Sequence, residues 1–342
     1  EAAHRIARTS RVNDSDLLFM PANRAAALIR RKRLSPVEYL EAVLAAVERQ
    51  QPRLNCFVEV MGETNMGAQR WIDLGFMQFQ PSEMMKFTLV MLLAVYYDWL
   101  DSKRTSHPLY VLAAALLIVL PTILVLVQPN LGTSLMMILA GATVMFAAGV
   151  SLWYFAGVAA LAVAAIAGVF FTRGTPWQFL HDYQYRRIDT FFDPTADPLG
   201  AGYNIIQAKI ALGSGGWSGK GFMQGTQSRL NFLPEKHTDF IFTTLAEEFG
   251  FVGAFSLLVL YALIIGFCLF SALQNRDRFS ALLIVGVVAN FFFYIAVNLS
   301  MVMGMAPVVG VPLPLLSYGG SAMLVILVGF GLVQSAHVHR PR

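Results

Sequence analysis

Charge is scarce in this sequence. Charged residues make up 13% of its 342 positions, whereas 56% are hydrophobic. A soluble domain ordinarily carries about 25% charged residues. From Phe279 to Ala336 there is no charged residue at all. Such a stretch has nothing to hold water and cannot form the surface of a soluble domain. Most of the chain is therefore expected to lie in a membrane.

Cysteine is scarce as well. The chain has two, Cys56 and Cys268, and they sit in segments of opposite character, one rich in charge and one apolar. This placement excludes a disulfide framework of the kind that holds small secreted domains together. Ordinary packing is the role expected of both thiols.

Long apolar runs dominate the rest of the sequence. A helix needs roughly 20 apolar residues to cross about 30 Å of hydrocarbon. The chain offers seven such segments, and prolines at 307, 312 and 314 separate the last two. The sequence therefore predicts an all-α, polytopic membrane helix bundle of about seven transmembrane helices. The predicted spans lie near residues 84–100, 109–127, 131–150, 152–172, 240–273, 279–305 and 317–338.

Basic residues in the short loops predict the orientation of these spans. Lysine and arginine occur in the 98–107 turn, and arginine occurs in the 274–278 turn and in the tail after residue 336. The positive-inside rule assigns all three to the cytoplasm. The long connection 173–237 then lies outside the membrane, and its Trp, Tyr and Gly content favours an ordered, functional segment. We expect a multi-pass membrane protein with a cytoplasmic C-terminus.

Residues 1–62 have a different character from residues 63–342, and we predict that they form a separate, soluble helical fragment. Apolar residues recur there at helical spacing, with Ser35-Pro36 at a helix start. The pieces Leu34-Ser35-Pro36-Val37-Glu38 and Pro52-Arg53-Leu54-Asn55 resemble the N-terminus of amidase-signature hydrolases. That family's catalytic lysine and serines have no counterpart further along, so the fragment is expected to be non-functional.

A series of short motifs follows in a fixed order. They are Gly67-Ala68-Gln69-Arg70-Trp71, Gln80-Pro81-Ser82-Glu83 with Lys86, Gln128-Pro129-Asn130-Leu131-Gly132-Thr133, Asp197-Pro198-Leu199-Gly200-Ala201-Gly202-Tyr203, Gly213-Ser214-Gly215-Gly216, Leu233-Pro234-Glu235-Lys236-His237-Thr238-Asp239-Phe240 and Leu316-Ser317-Tyr318-Gly319-Gly320-Ser321. Each motif alone is weak, but the order and spacing are specific.

Through these motifs, residues 67–340 resemble the SEDS family (shape, elongation, division and sporulation), in particular its RodA-type branch. The resemblance implies a peptidoglycan glycosyltransferase that polymerises lipid II into glycan strands during cell elongation. It also implies a ten-helix fold, of which this chain would lack the first three spans. Its activity is accordingly expected to be lower than that of a ten-span relative.

Glycosyl transfer requires a base for the attacking sugar hydroxyl and cations or amides for the departing pyrophosphate. The resemblance places the family's essential aspartate at Asp239, where the long outer connection enters a span. Partial desolvation there would raise the pKa of a carboxyl group toward useful values. We therefore expect Asp239 to be the catalytic general base, with a helix N-cap as the structural alternative.

Nine further residues are expected to bind substrate. Glu83 and Lys86 are three positions apart on one helix face, where they form either a structural ion pair or part of a cavity wall. Cationic side chains could neutralise pyrophosphate, and the remainder belong to the family motifs, with His237 orienting the loop or the base. The full set is Arg70, Glu83, Lys86, Arg187, Lys209, Lys220, Glu235, His237 and Ser317.

A glycine-rich stretch, residues 213–221, looks like a phosphate loop but does not match one. The pattern needs Gly where Ser214 stands and Ser or Thr where Gly221 stands. Nucleotide binding at this stretch is therefore not expected.

Two other functions remain open on sequence alone: a flippase or transporter for lipid II, and an inactive scaffold that binds a transpeptidase. An outer-surface carboxylate such as Asp239 favours the enzyme, since transport does not need it. No cofactor is identified from the sequence, and a divalent cation, Mg²⁺ or Mn²⁺, stays open as an alternative. The family implies lipid II, a class B penicillin-binding protein and other membrane proteins of the elongation complex as partners, and no nucleic acid.

Overall fold

The computed structural model describes residues 72–73, 78–128, 130–174, 185, 189, 191–193, 202–230, 232–233 and 236–340. The chain divides into two compact units, Glu1–Phe79 and Gln80–Arg342. The described part of the first unit is one antiparallel pair of two-residue strands, β1 (Ile72–Asp73) and β2 (Gln78–Phe79). The predicted helical fragment of residues 1–62 lies outside the described residues, so its boundary at 62 stays a prediction.

The second unit is helical, which confirms the all-α fold class. Its described helices are α1 (Pro81–Trp99), α2 (Pro108–Val127), α3 (Leu131–Ala147), α4 (Leu152–Phe171), α5 (Tyr203–Ser214), α6 (Thr226–Arg229), α7 (Ile241–Gln274), α8 (Arg278–Val302) and α9 (Gly320–Val338).

A helix lies at each of the seven predicted span positions. Five of them, α2, α4, α7, α8 and α9, are long and apolar enough to cross a membrane. Helix α1 is more polar, because it carries Glu83, Lys86 and Asp98. Helix α3 has 17 residues and ends at Ala147, three residues before its predicted limit. Gly149 adopts a φ of +96° just beyond that end, a backbone conformation that stops a helix.

Helix α8 is the centre of this unit. It packs against α1, α3, α7 and α9. Close approach is possible because of Gly286, where a Cβ atom would lie 2.3 Å from Val90 Cγ1 on α1 and 2.8 Å from Val144 Cγ2 on α3. Helices in a bilayer associate through this kind of close contact, since lipid is as apolar as their side chains.

Arg278 holds the first end of α8 to two neighbouring helix ends. Its guanidinium donates hydrogen bonds to the carbonyl of Leu100 at 2.8 Å and to the carbonyl of Ala148 at 3.1 Å. These carbonyls follow the last residues of α1 and α3, where helices leave acceptors unsatisfied. The start of α8 and the ends of α1 and α3 therefore share one end of the bundle.

Helix α4 differs from α8 in having no buried residue within the described part of the chain. Its contacts lie near its two ends, where the Tyr154 hydroxyl donates to the Ser106 carbonyl at 3.1 Å and the Tyr185 hydroxyl donates to the Val169 carbonyl at 2.8 Å. Beyond the second end, Arg173 pairs with Asp189 at 2.6 Å, and its hydrogen bond lowers the pKa of that exposed carboxyl group.

Helix α7 is interrupted at Gly250, whose φ of 67° and ψ of −163° are accessible in practice to glycine alone. The glycine-rich residues 215–221, which we call the strap, lie against this break. The amides of Lys220 and Gly221 donate to the carbonyls of Glu247 and Glu248, both at 3.0 Å.

The strap also supplies acceptors to the other side of the break. The Phe251 amide donates to the Gly216 carbonyl at 2.8 Å, and the Val252 amide donates to the Trp217 carbonyl at 3.2 Å. In an uninterrupted helix these two amides would bond the carbonyls of residues 247 and 248. The strap thus replaces two helical hydrogen bonds with four of its own. The glycine-rich motif is a helix-docking element, which explains its glycines without a phosphate.

Candidate functional site

Glu83 and Lys86 form a buried ion pair near the start of α1. The Lys86 Nζ and Glu83 Oε1 atoms are 2.7 Å apart, and the two residues are only 1% and 5% exposed. Tyr294 of α8 completes the group: Lys86 donates to its hydroxyl, and that hydroxyl donates to Glu83 Oε2 at 2.6 Å. Buried charges persist only when they are paired and hydrogen-bonded, as these are.

Tyr294 belongs to a column of polar residues on α8. Asn290, Tyr294 and Asn298 are four residues apart, so they lie on one helix face, and all three are buried. The Asn298 Nδ2 atom donates to the carbonyls of Asp239 and Val311, both at 2.7 Å. Tyr294 and Asn298 therefore connect the ion pair of α1 to the backbone of Asp239, whereas Asn290 lies one turn before Tyr294, away from Asn298.

Three consecutive carbonyls before α7 are held by three different partners. The Tyr318 amide donates to the His237 carbonyl at 2.8 Å, and the Ser317 hydroxyl donates to the Thr238 carbonyl at 2.6 Å. The bond from Asn298 to the Asp239 carbonyl is the third. The Ser317 hydroxyl in turn accepts from the Leu313 amide at 2.7 Å, which closes a tight turn after α8. Residues 237–239 are thus fixed against residues 311–318.

The Asp239 side chain is half-buried and lies two residues before the first residue of α7. It faces the loop that follows α8, because a Cβ atom added to Gly310 would come 3.4 Å from Asp239 Oδ2. The start of a helix favours an anionic group nearby, since the first amides of the helix point toward it. Asn298 therefore holds the backbone of Asp239, while the Oδ2 atom of the side chain faces the loop at Gly310.

An open cleft of about 670 Å³ adjoins this segment. It lies between the start of α7 and the start of α9, and most of its lining area is apolar. His237 and Ser317 contribute the polar part of the wall, and Tyr318 and Met323 contribute larger side chains. A cleft of this size suits a chain-like apolar group, with polar groups at one side to fix its orientation.

Lys209 lies on α5 and reaches the first part of the loop that follows α8. A Cβ atom on Gly304 would come 2.4 Å from Lys209 Cε and 2.7 Å from its Nζ. Lys209 therefore contacts the loop at residue 304, and Asp239 faces the same loop at residue 310. A cation on α5 therefore lies against one end of this loop, and the carboxylate of Asp239 lies against the other end.

Lys220 has a different environment. Its Nζ atom lies 2.7 Å from Glu247 Oε1, and Glu247 is completely buried on α7. The same carboxylate accepts from the Thr226 hydroxyl at 3.0 Å and from the Gln227 amide at 3.0 Å. Glu247 thus anchors the strap and α6 to α7, and Lys220 neutralises it.

Lys236 continues this connection toward the site. Its Nζ atom donates to the Ser228 carbonyl at 2.5 Å, and Ser228 also donates its amide to Glu247 Oε2 at 3.4 Å. The segment that contains Asp239 is therefore supported from α6 as well as from α8 and the turn at 311–318.

The structure brings some predicted site residues together and separates others. Asp239, His237 and Ser317 lie together. Glu83 and Lys86 reach that group through the polar face of α8, and Lys209 shares the loop at 304–310. Lys220 is engaged by Glu247. Three predicted residues lie outside the described part of the chain: Arg70, Arg187 and Glu235.

Tyr294, Asn298 and Glu247 were not predicted from the sequence as site residues. A signal for the first two was available, since tyrosine and asparagine at four-residue spacing interrupt a long uncharged run. Glu247 carried a signal as well, because a carboxylate seven residues into an apolar span requires a buried partner. Within the described residues, no group of three or more His, Cys, Asp or Glu side chains gathers as a metal site. The Mg²⁺ or Mn²⁺ alternative stays a prediction.

Comparison with known proteins gives consistent matches. The family model for the FtsW, RodA and SpoVE proteins, described as "Cell cycle protein", matches residues 54–342. The peptidoglycan glycosyltransferase MrdB of Escherichia coli K12 is 48% identical over 284 residues, which cover 83% of this chain and 74% of the relative. MrdB of Helicobacter pylori 26695 is 36% identical over 82% of this chain and 72% of its own length.

Two solved structures share the fold. One is a chain from a study of how a peptidoglycan synthase complex coordinates polymerization and crosslinking, with a TM-score of 0.70 and 30% identity over 96% of this chain and 86% of that chain. The other is the rod shape determining protein RodA of Thermus thermophilus, with a TM-score of 0.56 and 27% identity over 96% of this chain and 84% of that chain.

Proposed function

Because this chain belongs to the FtsW, RodA and SpoVE family of cell cycle proteins, we propose that it is a peptidoglycan glycosyltransferase that polymerises lipid II. One structural observation carries the proposal. The backbone that carries Asp239, whose side chain is half-buried, is fixed by hydrogen bonds to the carbonyls of residues 237–239, and His237 in this segment lines an apolar cleft of about 670 Å³. A lipid-linked sugar needs this combination of a positioned base and a groove for its chain.

In the proposed reaction, Asp239 accepts the proton of the attacking sugar hydroxyl. The hydroxyl oxygen forms a bond to the anomeric carbon of the second lipid II molecule. The bond between that carbon and the pyrophosphate oxygen breaks, and undecaprenyl pyrophosphate leaves with the electron pair. The protonated Asp239 then returns its proton to water. General-base catalysis of this kind contributes about 10²–10⁴-fold in rate.

Among the basic side chains that the structure describes, Lys209 is best placed to bind the leaving pyrophosphate, since it contacts the same loop that Asp239 faces. A lysine ammonium binds phosphate oxygens as a compact point charge. The apolar wall of the cleft suits the polyprenyl chain. A divalent cation, Mg²⁺ or Mn²⁺, would supply further neutralisation of the pyrophosphate.

The alternative of a lipid II flippase has less support. Transport of a charged headgroup requires polar groups that face an aqueous path, whereas Glu83, Lys86 and Tyr294 satisfy one another in a buried cluster. An inactive scaffold would not require three separate bonds to fix the backbone at Asp239. Both alternatives predict the absence of polymer in the assay below.

A transpeptidase is the partner we propose. The structural relative described above comes from a complex that couples polymerization to crosslinking. A class B penicillin-binding protein would supply that crosslinking for this chain, within a larger set of elongation-complex membrane proteins. The chain would lie in the bacterial inner membrane, with the Asp239 end of the bundle outside and the C-terminus in the cytoplasm, as the basic loops require.

The function is tested by Asp239→Asn in proteoliposomes supplied with lipid II. We expect the variant to lose about 10²–10⁴-fold in polymerisation rate, because asparagine cannot accept the proton. Glycan product is measured on gels after a fixed time. Asp101→Asn, an exposed carboxylate in the 98–107 turn, is the matched control and should retain full activity. Near-normal polymerisation by Asp239→Asn would exclude it as the base.

The orientation is tested by cysteine labelling of whole cells in a variant that lacks Cys56 and Cys268. Met223, two residues after the strap, is 70% exposed. When it is replaced by cysteine, it should label with an impermeant maleimide. Lys103, exposed in the 98–107 turn, should label as a cysteine only after the membrane is opened. The reverse pattern would place the Asp239 end in the cytoplasm and would exclude periplasmic polymerisation.

A further inference from the structure

We propose that Asn298 is a positioning residue that sets the distance between Asp239 and the loop its carboxylate faces. The inference rests on the proposed function and adds a residue to it. Asn298 is completely buried, so it touches neither solvent nor a bound sugar directly. It acts through the backbone of Asp239.

The geometry of the two hydrogen bonds carries the proposal. An amide nitrogen has two hydrogens in a fixed plane, and Asn298 Nδ2 donates to two different carbonyls at 2.7 Å each. One belongs to Asp239 itself. The other belongs to Val311, the residue directly after Gly310, which lies against Asp239 Oδ2. One planar group therefore fixes the catalytic residue and its opposing wall relative to each other.

The other atom of the same side chain supports this interpretation. Asn298 Oδ1 is buried and has no hydrogen-bond partner within the described part of the chain. Exchanging the oxygen and nitrogen positions would place Oδ1 against two carbonyl oxygens, so the two acceptors fix the orientation of the amide. Within the described residues, the acceptor Oδ1 of this side chain therefore lacks a hydrogen bond, while its two donor bonds from Nδ2 are short, at 2.7 Å each.

The helix that carries Asn298 is suited to a positioning role. Functional groups are held most accurately by rigid elements whose own packing is fixed. Helix α8 is the most enclosed span of the described bundle. One turn before Asn298, Tyr294 is held by the ion pair of α1. Asp239 is thus held in position by the central helix of the bundle, in addition to the outer loops.

Asn290 provides a matched control on the same helix. It is the same residue type, is also completely buried, and has an Oδ1 atom without a partner within the described residues. Among the residues that the structure describes, its Nδ2 atom reaches only the Gly286 carbonyl of its own helix, at 3.4 Å. Replacing Asn290 removes the same chemical group from the same environment without affecting Asp239.

The test compares steady-state polymerisation of lipid II by the wild-type chain, Asn298→Ala, Asn298→Ser and Asn290→Ala in proteoliposomes. A displacement of about 1 Å at a reacting group can reduce a rate by about 100-fold. For Asn298→Ala we expect kcat to fall about 10- to 100-fold with KM within about twofold. Serine keeps a hydroxyl donor, but this donor lies one bond closer to the backbone than Nδ2 and regains at most one weakened bond. Asn298→Ser should therefore fall between alanine and wild type, nearer to alanine. Asn290→Ala should retain wild-type kcat.

Thermal unfolding in detergent separates this effect from a loss of structure. Asn298→Ala removes the donor to two backbone carbonyls, so it should unfold at a lower temperature than Asn290→Ala, yet it should remain folded at the assay temperature. If Asn298→Ala does not fold, Asn298→Ser compared with Asn290→Ser gives the same contrast with a smaller change. Equal kcat for the substitutions at 298 and 290, or a loss confined to KM, would overturn the proposal. Absence of polymer from the wild-type chain would instead refute the proposed function.

Discussion

Helices α8 and α4 are both long and strongly apolar, yet their surroundings in the structure are opposite. In the most apolar window of α8, 61% of the residues are buried, whereas none is buried in that of α4. Composition alone would have assigned them the same role. The difference lies in the few residues that are not apolar: α8 carries Asn290, Tyr294 and Asn298, while α4 carries no amide or charged side chain between its ends.

The comparison shows which features organise this bundle. Since lipid offers no hydrophobic advantage to helix association, contacts must come from close packing and from polar bonds. Helix α8 has both, through Gly286 against Val90 and through Tyr294 with the Glu83–Lys86 pair. Helix α4 has hydrogen bonds near its ends only, in the described part of the chain. Its apolar surface is compatible with lipid on every side.

The largest difference is expected from Lys86→Met, which leaves Glu83 charged and unpaired against α8. Removing one partner of a buried pair typically destabilises a protein by about 3–5 kcal/mol. We expect a loss of that size in the free energy of unfolding, measured by reversible denaturation in mixed detergent micelles. Leu161→Met on α4, which is 70% exposed, should change the free energy by less than about 0.5 kcal/mol.

A double variant makes this test sharper. Glu83→Gln combined with Lys86→Met removes the unpaired charge of Glu83, so the double variant should be more stable than Lys86→Met alone. If the single and double variants are equally stable, the pair contributes little and α8 is held by packing alone.

A smaller difference is expected from glycine-to-alanine changes on the two helices. At Gly286 the added methyl group would overlap Val90 and Val144, so we expect a loss of about 1–3 kcal/mol. At Gly157 on α4 no atom from the described residues lies within 4 Å of the added group. Alanine there should be neutral or stabilising by up to about 1 kcal/mol through helix propensity.

The same denaturation assay measures both variants, and the sign of each change is the result that matters. A loss at Gly157 similar to that at Gly286 would mean that α4 packs against protein along its length, and the contrast between the two helices would not hold.

Much of the fold could be predicted from the sequence, because the requirement for about 20 apolar residues per span is a physical constraint. The limits of individual helices were less predictable. Helix α1 begins at Pro81, three residues before its predicted start, because proline suits the first position of a helix although it is not part of an apolar run. Glu83 and Lys86 lie in the first two turns of this helix. Their charges are compatible with a helix because Tyr294, 211 residues after Glu83, completes their bonds.

The candidate site was predictable in part. Asp239, His237 and Ser317 were named from their motifs, and the structure places them together. The bonds that hold the backbone of residues 237–239 could not be derived, because two of them reach residues 59 and 79 positions away and the third reaches Tyr318. The opposite problem occurred at Lys220, where a basic residue in a polar connection looked available for a ligand. The buried carboxylate that engages it is 27 residues distant.

The break at Gly250 has a consequence for anyone who recombines this protein with its relatives. The strap and the turns of α7 on either side of the break share four backbone hydrogen bonds, and glycines at 219 and 250 meet with no room for a side chain. A crossover point between residues 221 and 246 would take the strap from one parent and the interrupted part of α7 from the other, although these two segments are joined by backbone hydrogen bonds. Chimeras should exchange residues 213–252 as a single cassette, with their junctions placed inside regular helix.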